Sequence, residues 1–181
     1  MIETTPDELL AAMLAETATW RAVCDVGAGA SLAEIQAAAA GFKDGIVDPA
    51  EVGAEDRALA RVRIGGIDPD PASDDYLATP RASVRQNAPD VADQYTNGGA
   101  TDGGGLNLLV ELWNPRNDNG YLFARTIYKS LVSELLTLSR TSGRMELTSA
   151  TLNPVEQLDP EENDGDDSWS ADIEVRWAGA V

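Results

Sequence analysis

The chain has no histidine and a single cysteine, and these two scarcities remove more chemistry than any motif adds. Without histidine the commonest general base and the commonest zinc ligand are missing. With Cys24 alone no intrachain disulfide can form, which suits folding in a reducing cytosol. No apolar run is long enough to span a bilayer, and the N-terminus lacks the basic and apolar regions of a signal peptide. Basic residues are few: 13 Lys and Arg stand against 31 Asp and Glu, giving a net charge of -18 that repels phosphate backbones. What is present is an ordinary globular complement, 43% hydrophobic in 181 residues. That length suits one domain spanning 1–181, with long loops expected at about 65–80, 87–105 and 153–168.

The firmest element is a helix from Tyr121 to Arg140. Ala124, Tyr128, Leu131, Leu135 and Leu138 recur at steps of four and three, widened by Ile127 and Val132, while Thr126, Ser130, Ser133, Thr137 and Arg140 form a polar face. Asp118 or Asn119 can cap its start, and Gly143 fits just past its end. Strands flank it. Leu106, Leu108, Val110 and Leu112 share one face of a strand; Asn107, Leu109, Glu111 and Trp113 share the other. Met145 to Leu152 alternates moderately. Trp169 to Trp177 alternates strictly, as an antiparallel strand does, and the two are expected to pair as a hairpin.

Upstream, Thr5-Pro6-Asp7-Glu8 opens a helix expected to run to about Trp20, with Leu10, Met13, Leu14, Thr17 and Trp20 on its inner face. Ser31-Leu32-Ala33-Glu34 is a second capping box, and Asp48-Pro49-Ala50-Glu51 starts a short turn. Arg61 to Ile64 reads as a strand with Val62 and Ile64 inward. Ala82 to Gln86 reads as another, its flanking Pro80 and Pro89 arguing for a sheet edge or a strand end. The fold class expected is α+β: a mainly antiparallel sheet of four to five strands, with the long helix and the N-terminal helix on one face.

Two stretches tempt a chemical reading. Val23-Cys24-Asp25-Val26-Gly27-Ala28-Gly29-Ala30-Ser31 resembles the first motif of S-adenosylmethionine-dependent methyltransferases, which implies a strand ending in Asp25 and cofactor contact at Gly27 and Gly29. The second acidic strand end, due about 20 residues on, is absent; that interval holds Ala37 to Gly41, a helix and its cap. The other reading is a turn feeding a helix. The acidic run Glu156, Asp159, Glu161, Glu162, Asp164, Asp166 and Asp167 fails the calcium-loop pattern, since its first and last ligand positions fall on Pro160 and Ala171. It reads as a solvated face. No catalytic residue, metal or cofactor is expected.

The order of elements resembles the tail terminator and tail-completion proteins of long-tailed bacteriophages. The residues that carry it are Gly103-Gly104-Gly105-Leu106, Leu131-Val132-Ser133-Glu134-Leu135-Leu136, Ser142 to Leu147 and Ser168 to Val175. The resemblance covers the C-terminal half well and the N-terminal half loosely, and rests on pattern rather than an invariant motif. It implies a non-enzymatic virion protein in the tail or neck, assembled in the host cytoplasm. It implies a homo-oligomeric ring, expected to be a hexamer, that caps the tail tube and meets the neck or head-completion proteins. DNA would pass through the lumen without tight binding, and no membrane is involved. A neck or head-completion protein is the nearest alternative, and a small methyltransferase the alternative from another class. Interface residues expected on this reading are Leu109 and Trp113 on the central strand, Asn97 and Asp102 in the glycine-rich loop, and Asp159, Glu162 and Asp164 in the acidic loop.

Overall fold

A computed structural model describes residues 5–26, 30–46, 53–64, 80–86, 103–113, 120–142, 145–157 and 168–178. Among them are helices α1 (Pro6–Glu16), α2 (Ala18–Val26), α3 (Leu32–Lys43), α4 (Ala54–Ala60) and α5 (Gly120–Ser142). The strands are β1 (Val62–Ile64), β2 (Arg81–Gln86), β3 (Gly103–Trp113), β4 (Glu146–Leu152), β5 (Glu156–Gln157) and β6 (Ser168–Ala178). The strands form one six-stranded sheet in the order β1-β2-β3-β6-β4, with β5 also paired to β6. Among the described pairings only β1–β2 is parallel. The α+β class with a long helix is therefore as expected.

The alternation of β3 explains its central place. Leu106, Leu108, Val110 and Leu112 are fully or almost fully buried, and the register sets Val175, Ile173 and Ala171 of β6 beside the first three. Ala82 and Val84 of β2 continue the same face. The helices close it. α5 contributes Ala124, Ile127, Tyr128, Leu131 and Leu135 of the expected stripe and adds Phe123, while Val132 is only half buried. Leu138 is only half buried, and Ser139 is buried in the last turn instead. Ser139 Oγ accepts a 2.6 Å hydrogen bond from the Leu147 amide and so ties that turn to β4. β4 and β6 pair antiparallel as the hairpin reading requires, with a bulge between Leu147 and Ser149.

The N-terminal segment departs from expectation. It is two helices, not one running to Trp20. Thr17, with ψ of 135°, breaks the path. Its hydroxyl donates to the Leu14 carbonyl at 2.7 Å and accepts from the Trp20 amide at 3.3 Å, closing α1 and starting α2 together. The inner face was read correctly: Leu10, Met13, Leu14, Thr17 and Trp20 are all buried. Trp20 Nε1 donates to the Ala58 carbonyl at 2.9 Å, which holds α4 against α2. The sequence reading missed α4.

Three smaller corrections concern the strands. Ile64 is 48% exposed, not inward, and Val62 only half buried, because β1 is a three-residue strand at the edge of the described sheet. Of the two readings that the prolines flanking β2 allow, a sheet edge fails, since β1 pairs on the outer side of β2, and a strand end holds for Pro80. Pro80 precedes β2 and so removes no ladder donor from it. Gly103 to Gly105 belong to β3 rather than to the preceding loop. The Trp177 indole lies against Gly104 in the paired position, so near that a Cβ there would sit 3.2 Å from Trp177 Nε1. The expected caps Asp118, Asn119 and Gly143, the turn at Asp48 to Glu51, and Pro89 lie outside the described residues.

Candidate functional site

The second face of the sheet is polar and ordered around Leu109. By register, Arg81 of β2, Glu111 of β3 and Ser170 of β6 form one row. Ser83, Leu109 and Asp172 form the next, and Arg85, Asn107 and Glu174 the third. Arg81 Nε donates to Glu111 Oε2, and both side chains are nearly excluded from solvent, at 13% and 10% exposure. Asn107 Nδ2 donates diagonally to Asp172 Oδ1 at 3.0 Å. Ser83 is fully buried, and its hydroxyl finds no partner among the described residues. Glu111 acts through the sheet as well. Its charge, after burial itself, pushes the Tyr128 phenol well above the usual tyrosine range. From the helix side the Tyr128 hydroxyl reaches the Val110 and Trp169 carbonyls, both at 2.9 Å.

The row of Arg81, Glu111 and Ser170 is nearly excluded from solvent and Ser83 wholly so, whereas Asn107, Leu109, Asp172 and Glu174 stay partly exposed. The carboxylate of Glu111 is committed to Arg81. The half-buried Cys24 thiol is pushed up to about 12 by burial, against the charges of Arg61 and Arg57, which keeps it protonated and a poor nucleophile near neutrality. Among the described residues no group of three or more Cys, Asp or Glu is placed to hold a metal ion. The cofactor-loop resemblance fails at its first requirement: Val23 to Val26 are the last turn of α2, not a strand. α3 begins with the Ser31–Glu34 capping box, in which Glu34 Oε2 accepts from the Ser31 amide at 2.7 Å. Gly27 and Gly29 lie outside the described residues.

Of the expected interface residues, Leu109 lies on the polar face and is half buried. Trp113 ends β3 on the same alternation, opposite Ser168, and its backbone alone is described. Asn97, Asp102, Asp159, Glu162 and Asp164 lie outside the described residues. Arg81, Ser83, Asp172 and Ser170 were missed. The signal for three of them was present, since alternation along the β2 and β6 segments assigns them to this face.

A second polar cluster joins three helices. Glu134 of α5 accepts from the Thr19 amide at 3.1 Å (Oε2) and from Thr19 Oγ1 at 2.6 Å (Oε1), at the start of α2. Lys43, at the end of α3, lies 2.8 Å from the same Oε1. Glu134 thus caps one helix and pairs the last residue of another, with favourable dipole sign at both ends. Thr19 and Glu134 are 115 residues apart in sequence, so no local pattern could have paired them. Beside this cluster α3 and α5 diverge around a small cavity. Comparison with protein-family models and with curated proteins found no match for the chain.

Proposed function

We propose that the chain is a structural subunit of the phage head–tail junction, a tail terminator that closes into a ring on the tail tube and joins it to the neck. The observation that carries this reading is the disposition of the sheet. The helix layer covers the face of Leu106, Leu108, Val110 and Leu112, while on the other face Leu109 stays partly exposed among Asn107, Asp172 and Glu174, beside the buried Arg81–Glu111 pair. An apolar centre with a polar rim is the usual anatomy of a protein–protein contact. The order of sheet, long helix and closing hairpin agrees with the resemblance drawn from the sequence. A ring needs a heterologous contact that closes, in which one patch meets a different patch on the next copy. The charge of -18 suits a lumen that passes DNA without holding it.

Native mass measurement of the purified protein, alone and with tail tubes, tests the proposal. A ring-sized assembly is expected, and Leu109→Arg should abolish it while leaving the circular-dichroism spectrum intact. A monomer that never engages tubes or neck proteins would refute the reading. Electron microscopy of particles lacking the protein decides its place: overlong tails mark a terminator, and normal tails detached from filled heads mark a neck or head-completion protein.

A further inference from the structure

The helix α3 packs on α2, burying Ile35, Ala39 and Phe42. Toward α5 it stands off, and the gap is a cavity of about 230 Å³. Ile35 and Ala39 of α3 and Ile127 of α5 supply apolar wall; Gln36, Lys43 and Ser130 supply polar rim. The other two polar residues of the lining are already committed. Thr19 Oγ1 donates to Glu134, and Thr126 Oγ1 donates to the Leu122 carbonyl at 2.7 Å. Gln36 and Ser130 make no such bond among the described residues. The lining therefore offers uncommitted polar groups over an apolar floor, the usual composition of a small-molecule site.

Among its described lining residues the one charged group is Lys43, whose charge Glu134 balances from beside the cleft at 2.8 Å. An ammonium has three donors, and one is taken by Glu134. The other two remain for a ligand oxygen, so an incoming anion need not displace the Lys43–Glu134 pair. Size narrows the class further. An apolar cavity of about 150 Å³ holds benzene, so this one admits roughly eight non-hydrogen atoms. We propose that the cleft between α3 and α5 binds a short aliphatic monocarboxylate, its chain against Ile35, Ala39 and Ile127 and its carboxylate on Lys43 and Ser130. This binding is independent of ring assembly.

Titration calorimetry with hexanoate, hexan-1-ol and hexylamine tests it. Hexanoate should bind one per chain, more tightly than hexanol, and hexylamine more weakly than either. In Lys43→Gln the hexanoate affinity should fall roughly tenfold, as loss of a charge-assisted hydrogen bond implies, with hexanol unchanged. Ala40→Trp, which fills the cleft from an exposed position on its lining, should abolish binding of both. Unliganded melting curves of both variants establish that they are folded. Absence of hexanoate binding to the wild-type protein at millimolar concentration, equal affinity for hexylamine, or undiminished binding in folded Ala40→Trp overturns the proposal.

Discussion

Gly120 opens α5 directly beneath the Trp169 indole, with no room for a side chain between them. A Cβ at Gly120 would lie 2.7 Å from Trp169 Nε1 and 2.8 Å from Cζ2. The indole also meets the Tyr121 ring edge to face, with centroids 6.2 Å apart at 67°. Gly120→Ala is therefore expected to destabilise the fold by about 1–3 kcal/mol, the usual cost of overpacking. The sign is informative, because alanine favours a helix over glycine by about 1 kcal/mol. In a Trp169→Phe background, where the smaller ring leaves space, the same substitution should become neutral or stabilising. Thermal melting of the four proteins checks this.

Tyr128 makes a pH prediction. Its phenol is buried, and burial with the Glu111 charge raises its pKa well above the usual value of 10.0. A folded pKa raised above the unfolded one means that the contribution to stability is complete below about pH 10. It is lost as pH climbs toward the folded value, because the unfolded chain releases its proton first. Ultraviolet titration of the folded protein should leave Tyr128 un-ionised until alkaline unfolding. Tyr128→Phe should remove none of the normally titrating absorbance, while costing about 1 kcal/mol for the lost bonds to the Val110 and Trp169 carbonyls.

Those two relationships also mark what the sequence could and could not tell. The stripe of α5 and the alternation of β3 and β6 were legible because each repeats a period over many residues, and buried side chains of one type leave a strong pattern. The break at Thr17 was not. Threonine, alanine and threonine around it continue a helical composition, and only the hydroxyl's choice of partners ends one helix and starts another. Ile64 shows the opposite failure. Its alternation is right, since it pairs beside Val84, but how fully an edge strand is covered is a tertiary fact. The polar face was half legible. Leu109 and Trp113 could be assigned to it from alternation, whereas the Arg81–Glu111 pair needed the register of two strands separated by a long loop.

The Arg81–Glu111 pair should be costly to break from one side. Both side chains are close to fully buried, so Arg81→Ala leaves a carboxylate without its counter-charge. A loss of about 3–5 kcal/mol in urea unfolding is expected, as for other buried pairs cut at one partner. Adding Glu111→Gln should recover part of it by removing the stranded charge. If the single and double variants are equally unstable, the stranded charge is not the origin of the loss.

Glu134 should matter more than the lysine it pairs with. Lys43 is half exposed, so Lys43→Ala removes a screened contact worth under about 1 kcal/mol. Glu134→Ala removes that contact and both bonds to Thr19, one of which satisfies an amide at the start of α2. Capping carboxylates of this kind contribute about 1–2 kcal/mol. The two effects separate by salt. Raising ionic strength screens the exposed ion pair but leaves the short bonds from Thr19 nearly untouched. A double-mutant cycle of Glu134→Ala with Thr19→Ala should therefore keep a coupling of about 1–2 kcal/mol in high salt, while the cycle with Lys43→Ala falls toward zero. Equal decay of both couplings would mean that the bond from the Thr19 hydroxyl to Glu134 contributes nothing beyond screened charge.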